Sequence, residues 1–171
     1  MIELREATFD DTPQVRELAI RVYDDTFAAD NTVENMQAFF DEAYNLEKLQ
    51  KEFYEPTSRL YLACAGDTIV AFMRLRETDE VKHLLGDNTL ELHRLYIDKA
   101  YQGQQVGRML MEKALDYARE RSVEWIWLGV WERNFRAQKF YARWGFERFS
   151  EHVFQMGDDP QVDWLLKRKM K

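Results

Sequence analysis

The sequence predicts an α/β (α+β) domain in which a mixed sheet carries helices on its faces. Short segments alternate apolar and polar residues, which is typical of strands, and others repeat apolar residues every three to four positions, which is typical of amphipathic helices. The chain has 171 residues, of which 46% are hydrophobic, with only 3 Pro and 7 Gly. We therefore expect one domain over residues 1–171 with one buried core and no internal linker.

The N-terminal half is predicted to contain a strand, two helices and a hairpin. Residues 2–5 alternate as a strand does, and Pro13 follows two aspartates as a proline follows a helix cap. Helical spacing predicts one helix after Pro13 and a second over Met36–Phe53, joined by the acidic segment "DDTFAADN". The period then changes to two over residues 59–76, which indicates two strands joined by a tight turn.

The C-terminal half is predicted to alternate strands and helices. After a polar loop at residues 77–87, a strand is expected over residues 90–97, a helix over 105–121 and an apolar strand over 125–131. Asn134 can cap the next helix, which Gly145 ends, and two strands follow. The predicted order is β, α, α, β, β, β, α, β, α, β, β.

Charge and composition exclude several classes of protein. The 31 acidic residues outnumber the 24 basic ones, so the net charge of −7 disfavours a nucleic-acid or anionic-membrane binder and favours a cationic partner. No segment has the length of a membrane span and the N-terminus lacks a signal-peptide pattern, so a cytoplasmic protein is expected.

Cysteine and histidine are sparse, with one Cys and three His. Cys64 is the single cysteine, so no intramolecular disulfide can form, and its apolar neighbours predict a buried strand thiol. His83, His93 and His152 are scattered without a Cys/His cluster, so no metal site is predicted.

A predicted strand, a glycine-containing turn and a helix form the segment most suited to binding: "LHRLYID", "KAYQGQQVG" and "RMLMEKALDYA". The start of a helix presents unpaired backbone N–H groups, and the helix dipole adds positive potential. We interpret the turn as a pyrophosphate site, although a turn that only reverses the chain has the same pattern. Gly103 and Gly107 do not complete the dinucleotide pattern G-x-G-x-x-G, and no Lys-Ser or Lys-Thr pair follows.

This turn resembles the signature Q/R-x-x-G-x-G/A of the GNAT acyltransferases, and the resemblance extends over nearly the whole chain. The six positions and the next one hold Gln102, Gly103, Gln104, Gln105, Val106, Gly107 and Arg108. Gln105 departs from the usual glycine, which matters only if the position needs a positive φ or leaves no clearance. The resemblance implies a mixed, mostly antiparallel sheet of six or seven strands flanked by about four helices. It also implies acetyl-CoA as co-substrate, bound by backbone N–H groups of the turn.

The segment "GVWERNFRAQKFYARWGFE" is also similar to this family, with Asn134 and Tyr141 at the two characteristic positions. The resemblance implies that Tyr141 is the general acid for the departing thiolate, and the alternative is a packed helix tyrosine. It implies that Asn134 contacts the coenzyme, although a capping role alone would explain this residue. It further implies that backbone groups of Leu95, Tyr96 and Ile97 pair with the pantetheine arm.

The blocks "DTFAADNTVENM", "IWLGVWERN" and "FQMGDDPQVD" resemble the PaiA-type spermidine/spermine acetyltransferases within this superfamily. This resemblance implies a primary amine of a polyamine as acceptor. Glu91 resembles the base of the histone-acetyltransferase branch, and alternation places it on the strand face of His93, Leu95 and Ile97. His93 is a second candidate for moving protons. Both could instead be polar surface residues.

Four acidic residues are candidates for binding the remaining positive charges of the acceptor: Asp24, Asp25, Asp30 and Glu132. Solvated loop acids are the simpler interpretation. Acetylation of a protein N-terminus or lysine is an alternative activity, and a non-catalytic acyl-CoA sensor is an alternative of another class. The expected partners are acetyl-CoA and a small cationic amine, without nucleic acid, membrane or metal, and a homodimer is left open.

Overall fold

The computed structural model describes all 171 residues as one seven-stranded sheet with helices on both faces. The strands are β1 (Ile2–Glu6), β2 (Arg59–Ala65), β3 (Thr68–Arg76), β4 (Thr89–Ile97), β5 (Trp125–Trp131), β6 (Glu147–Met156) and β7 (Asp159–Lys169). The helices are α1 (Thr12–Phe27), α2 (Val33–Ala43), α3 (Leu46–Phe53), α4 (Lys82–Leu85), α5 (Val106–Glu120) and α6 (Phe135–Arg143). Short 3-10 segments lie at Phe9–Asp11, Ala28–Asp30 and Lys99–Tyr101.

The strands lie in the order β1-β2-β3-β4-β5-β7-β6, and every neighbouring pair is antiparallel except β4 with β5. The parallel pair arises because α5 crosses over between these two strands. The predicted mixed, mostly antiparallel sheet is therefore confirmed. None of the helices combines the length and apolar character needed to cross a membrane.

The single helix predicted over Met36–Phe53 is divided into α2 and α3, so this prediction is wrong. The side-chain oxygen of Asn45 accepts a hydrogen bond from the N–H of Lys48 at 2.8 Å and caps α3. Asparagine competes with the helical backbone for hydrogen bonds and therefore favours a cap over a helix interior. Apolar spacing does not reveal this break, because both helices pack on the same core.

The segment predicted as a loop over residues 77–87 contains the short helix α4. Val81 and Leu85 are buried there against Trp127 of β5. These few apolar contacts order one helical turn inside an otherwise polar segment, which is too short for a periodic pattern to indicate.

Two apolar cores lie on opposite faces of the sheet. The core of the α5 face lies under α5 and α6 and includes Leu110 and Met111. The core of the α1 face lies under α1, α2 and α3 and includes Leu18 and Phe72. Cys64 is a free, buried thiol of the second core, as the sequence predicts.

Two irregularities of β4 position the functional site. The register between β3 and β4 shifts between Arg74 and Leu75, and this β-bulge leaves His93 as the extra residue of β4. In addition, β4 pairs with β5 only over Thr89–Glu91. Beyond that point the strands separate, so the remaining edge of β4 has no neighbouring strand.

Candidate active site

A cavity of about 1220 Å³ lies where β4 and β5 separate, and it connects the two faces of the sheet. The turn before α5 and helix α6 line one end, and α1, α3, β6 and β7 line the other. The predicted site residues in its lining are Asp25, Glu91, His93, Leu95, Tyr96, Ile97, Gln102, Gly103, Gln105, Gly107, Arg108, Asn134 and Tyr141. The predicted site residues outside the lining are Asp24, Asp30, Gln104, Val106 and Glu132.

The turn before α5 presents a row of backbone donors. Gly103 and Gln105 have positive φ values of 80° and 69°, so the turn does require a left-handed residue at the position where Gln105 replaces glycine. The N–H groups of Gly103 and of residues 105–108 donate to no atom of the protein, and the first helical bond runs from Met109 to Gln105 at 3.0 Å. Free N–H groups at the start of a 15-residue helix form an anion-binding position.

Two glutamine side chains stabilise this turn. Gln102 Nε2 donates to the carbonyl of Ile97 at 3.2 Å, and its Oε1 accepts from Arg136 at 2.5 Å. Gln104 Nε2 donates to the carbonyl of Ala100 at 2.8 Å and the residue is exposed. Both side chains therefore hold the turn itself, so ligand binding falls to the backbone.

Gly107 allows α5 to approach β4 and α6 closely. A Cβ at this position would lie 3.2 Å from Ile97 Cδ1 and 3.3 Å from the Phe140 ring, which is tighter than ordinary contact. Arg108 and Arg136 add positive charge to the same end of the cavity. The free amides, the helix dipole and these guanidinium groups fit a pyrophosphate such as that of coenzyme A.

The open edge of β4 offers backbone groups to an extended ligand. The N–H of Asp98 donates to the carbonyl of Val70 in β3 at 2.9 Å. Because successive residues of a strand direct their backbone groups to opposite edges, Tyr96 also faces β3, whereas Leu95 and Ile97 face the gap toward β5. The carbonyl of Ile97 accepts from Gln102, and the other backbone groups of this edge have no neighbouring strand, so a pantetheine arm can pair with them.

Tyr141 lines the cavity from α6 and is only 8% exposed. The tyrosine hydroxyl bonds of this region join Tyr44 to Tyr96 and Tyr23 to Met156, and the Tyr141 hydroxyl takes part in neither. Burial raises the pKa of Tyr141 well above its ordinary value, and the nearby phenol of Tyr96 raises it further. The Tyr141 phenol is therefore protonated at neutral pH and available to donate a proton.

A buried ionic chain supports the α1 side of the cavity. Arg94 of β4 donates to Glu52 of α3 at 2.6 Å, and its guanidinium lies 5.3 Å from the centre of the Tyr44 ring. The Tyr44 hydroxyl in turn bonds the hydroxyl of Tyr96 in the cavity. This series of contacts holds α3 against β4 and fixes the position of the Tyr96 phenol.

The bulge changes the face that Glu91 occupies, so the expectation that it shares the face of Leu95 and Ile97 is wrong. Leu95 and Ile97 pack on the α5-face core, whereas Glu91 binds Arg76 at 2.6 Å on the α1 face. The reason is the extra residue His93, which reverses the alternation along β4. Glu91 and His93 do lie on the same face. Burial raises the pKa of the Glu91 carboxyl, and Arg76 offsets only part of this rise.

His93 is held by Arg74, whose Nη1 lies 2.9 Å from His93 Nδ1. A guanidinium can only donate, so Nδ1 accepts and the neutral ring carries its proton on Nε2. Burial lowers the pKa of His93 well below its ordinary value, and the charges of Arg94, Arg76 and Arg74 lower it further. The nitrogen that could take up a proton is therefore occupied by Arg74.

The remaining predicted residues have structural partners. Asp30 lies 3.6 Å from Arg133, and Asp24 is exposed outside the cavity. The backbone of Glu132 accepts from Gln138 at 2.9 Å and donates to β7. Val106 is buried in the α5-face core.

Asn134 does cap α6, because its side chain accepts from the N–H of Ala137 at 3.2 Å. It also lines the cavity. The capping role predicted from the sequence is confirmed, and the coenzyme contact stays a prediction.

Sequence reasoning missed three residues of the acceptor end: Glu80, His152 and Asp163. They lie in the β3–β4 connection, in β6 and in β7, and no motif links them. The register of the β6–β7 hairpin pairs His152 with Asp163. A hairpin around "MGDDPQ" was predicted, but its register depends on the turn length, which the sequence left open.

Comparison with known proteins agrees with this architecture. Residues 18–146 match the Acetyltransferase (GNAT) family. The chain is 36% identical to an uncharacterized N-acetyltransferase in the pepI 3' region of Lactobacillus delbrueckii subsp. lactis, over 99% of this chain and 98% of the relative. It is 26% identical to a spermidine N(1)-acetyltransferase of Thermoplasma acidophilum, over 98% and 97% of the two chains.

Solved structures have the same fold. The PaiA N-acetyltransferase of Thermoplasma acidophilum, crystallised in complex with coenzyme A, superposes with a TM-score of 0.83 at 23% identity and covers 99% of both chains. A probable acetyltransferase of Staphylococcus epidermidis superposes with a TM-score of 0.79 at 17% identity over the full length of both chains. From the match over residues 18–146 and the full-length Lactobacillus relative, it follows that this chain belongs to the GNAT family of acetyltransferases.

Proposed function

We propose that this chain transfers the acetyl group of acetyl-CoA to a primary amine of a polyamine such as spermidine or spermine, by direct attack in a ternary complex. The observation that carries the proposal is one cavity that joins three features. These are the free amides at the start of α5, the unpaired edge of β4 and the buried phenol of Tyr141. Such an arrangement suits a thioester held along β4, with an amine approaching from the α1 face.

Gly103 and residues 105–108 would hold the pyrophosphate through their free N–H groups, and the edge at Leu95 and Ile97 would pair with the pantetheine arm. A backbone N–H of this edge would polarise the thioester carbonyl and stabilise the developing oxyanion. Bound acetyl-CoA supplies the activated acetyl group. Tyr141 would donate its phenolic proton to the departing thiolate, because burial keeps it protonated.

The amine must lose a proton before it can attack. We assign this role to Glu91, because its raised pKa makes it a better proton acceptor than an ordinary carboxylate and because it lines the cavity. Its ion pair with Arg76 at 2.6 Å favours the charged carboxylate that can accept the proton. His93 is the weaker candidate, since its Nδ1 already accepts from Arg74.

The polyamine acceptor is supported by two observations. The Thermoplasma relative at 26% identity is a spermidine N(1)-acetyltransferase. Asp25 lines the acceptor end of the cavity, and the chain carries a net charge of −7. Both suit a small acceptor with more than one ammonium group.

Calorimetry with coenzyme A and thiol release over a panel of amines test the proposal. We expect coenzyme binding and turnover with spermidine or spermine. Binding without turnover on any amine would identify an acyl-CoA sensor, and turnover on peptides alone would identify a protein acetyltransferase. If coenzyme A does not bind at millimolar concentration, the proposed function is wrong.

A further inference from the structure

Three side chains from separate segments form a connected group on the α1 face of the cavity. The imidazole of His152 in β6 bonds Glu80 through Nδ1 and approaches Asp163 Oδ2 of β7 at 3.2 Å through Nε2. The side chains of His152 and Asp163 are 32% and 21% exposed, and all three residues line the cavity. The mechanism above assigns no role to them.

This group is anionic at neutral pH. Its hydrogen bonds with Asp163 and Glu80 raise the pKa of His152 to about 10, against the opposing effect of burial. The ring is therefore an imidazolium that donates from both nitrogens, one to each carboxylate. Two carboxylates and one imidazolium leave one net negative charge in a partly enclosed space, where screening by solvent is weaker than in a surface loop.

Asp163 has one carboxylate oxygen that is free to bind a ligand. Its Oδ2 bonds His152, and its Oδ1 makes no hydrogen bond. Beside it lies Gly129, the one small residue of the bulky strand "WIWLGVW", which also lines the cavity. A Cβ on Gly129 would lie 3.4 Å from Asp163 Oδ2 and 3.6 Å from His152 Nε2. Glycine weakens a strand interior and often marks the close approach of a ligand.

The position of Asp163 suits an ammonium group of the acceptor that stays protonated during the reaction. Asp163 adds to the rise in the pKa of Tyr96 that burial causes, so its charge is felt at the centre of the cavity. The attacking amine must be neutral, whereas the other ammonium groups of the acceptor keep their charge. The Asp163 carboxylate can accept a hydrogen bond from such an ammonium group through Oδ1.

We propose that Asp163 binds an ammonium group of the acceptor other than the one that is acetylated, with His152 and Glu80 as positioning residues that aim its carboxylate into the cavity. The inference rests on the proposed function, because it needs an acceptor with at least two amines. It adds a specificity-determining residue on β7 that is separate from Asp24 and Asp25, which lie in α1, and from Asp30 in the following 3-10 segment. Gly129 leaves the space in which the alkyl chain reaches Asp163.

Steady-state kinetics with spermidine and n-butylamine test the inference. Removing one charge-assisted hydrogen bond in Asp163→Asn should raise the KM for spermidine about tenfold to hundredfold. The KM for n-butylamine and the affinity for coenzyme A should stay unchanged. His152→Gln should raise the KM for spermidine by a smaller factor, because Asp163 keeps its charge but loses the hydrogen bond with His152 that positions it.

Glu151→Gln is the matched control. Glu151 precedes His152 in β6 but is exposed and pairs with Arg148 at 2.6 Å. This variant removes one negative charge from the same strand without touching the cavity, so all its kinetic constants should equal those of the wild type. An equal rise in the KM values for spermidine and n-butylamine in Asp163→Asn would overturn the inference, as would an unchanged KM for spermidine.

A binding measurement separates this inference from the proposed function. Addition of spermidine to the coenzyme A complex should shift the His152 Cε1–H resonance in a saturable manner, and Asp163→Asn should abolish saturation. The resonance is assigned by its absence in His152→Gln. If no amine is turned over, the proposed function fails while this titration still tests the Asp163 site. A wild-type resonance that does not respond to spermidine would refute the site itself.

Discussion

Tyr141 is the proposed general acid, and its surroundings keep its phenol protonated at neutral pH. Its phenol is buried beside Tyr96, which raises its pKa, and its hydroxyl makes no hydrogen bond to another residue. We predict that Tyr141→Phe lowers kcat by about 10²–10⁴-fold, because the donated proton is lost. Coenzyme affinity should change little, since the ring still packs on the α5-face core. Rapid-mix kinetics and calorimetry would measure the two quantities.

Tyr117→Phe is the control for this variant. Tyr117 lies on α5 outside the cavity, so its hydroxyl should have no effect on kcat. Wild-type turnover in Tyr141→Phe, with chemistry shown to limit the rate, would contradict the assignment of Tyr141 as general acid.

Gln105 holds a backbone conformation that favours glycine, with φ at 69°. A left-handed conformation costs a residue with a Cβ about 1–2 kcal/mol, so glycine would relieve this strain in the folded protein. Glycine also has greater freedom in the unfolded chain, which offsets part of that stabilisation. We therefore predict that Gln105→Gly changes the free energy of unfolding by less than about 1 kcal/mol. Coenzyme affinity should be equal or tighter, because the contacts come from backbone N–H groups.

Gly103→Ala is the opposite change in the same turn. With φ at 80°, alanine at this position should destabilise the protein and weaken coenzyme binding. A large loss of affinity in Gln105→Gly, measured by calorimetry, would show that the glutamine side chain itself contacts the coenzyme.

At the level of elements, helix α3 is attached to the sheet by ionic bonds. Glu52 lies 2.6 Å from Arg94 and 3.8 Å from Arg74, and all three are buried. We predict that Glu52→Ala lowers the free energy of unfolding by about 3–5 kcal/mol, because the buried Arg94 guanidinium loses its carboxylate in a low-dielectric site, whereas Arg74 keeps Glu55 at 2.5 Å. Glu47→Ala removes an exposed pair with Lys51 on the same helix and should have no measurable effect. Urea unfolding would measure both variants.

The contribution of Glu52 to the free energy of unfolding should also depend on pH. Burial would raise the pKa of its carboxyl, but the hydrogen bonds and charges of Arg94 and Arg74 lower it below its ordinary value. A group whose folded pKa is depressed stabilises the fold fully above its unfolded pKa, about 4.3, and loses this contribution as the pH falls. The wild type should therefore lose more stability than Glu52→Gln between neutral pH and the folded pKa. Parallel pH profiles of the two proteins would contradict this account.

At the level of the whole molecule, acidic charge on the acceptor side should attract polyamines. We predict that catalytic efficiency is higher for spermine and spermidine than for a diamine, and higher for a diamine than for a monoamine. Exposed ion pairs contribute only about 0–1 kcal/mol each, and the Debye length is about 8 Å at physiological ionic strength. The preference should therefore shrink as salt rises. Steady-state rates at low and high ionic strength would show this.

Equal efficiencies across the series at low salt would contradict the polyamine acceptor. They would leave the acetyltransferase assignment intact, because the turn before α5, the β4 edge and Tyr141 do not depend on the distal charges of the acceptor. A monoamine of similar length is the control for hydrophobic binding alone.

Local patterns in the sequence were sufficient for the strands and for the longer helices, but not for the division between α2 and α3 or for α4. Seven strands, the helix after residue 105 and the Asn134 cap all follow from periodicity and capping chemistry, which act within a few residues. The same patterns indicated the helix start after the turn over residues 102–108, where free backbone N–H groups lie, and coenzyme binding by this turn stays a prediction. A resemblance to a known family then sufficed to name Tyr141.

Tertiary structure alone decided the acceptor end. The bulge at His93 reversed the face of Glu91, and alternation cannot anticipate an extra residue whose place is set by pairing with β3. Glu80 comes from a distant segment to meet His152 and Asp163, which face each other through a β6–β7 hairpin register that only the packed sheet fixes. The physical reason is that consecutive residues determine backbone donors and caps, whereas the charges around a cavity are determined by contacts that strand register and helix packing create.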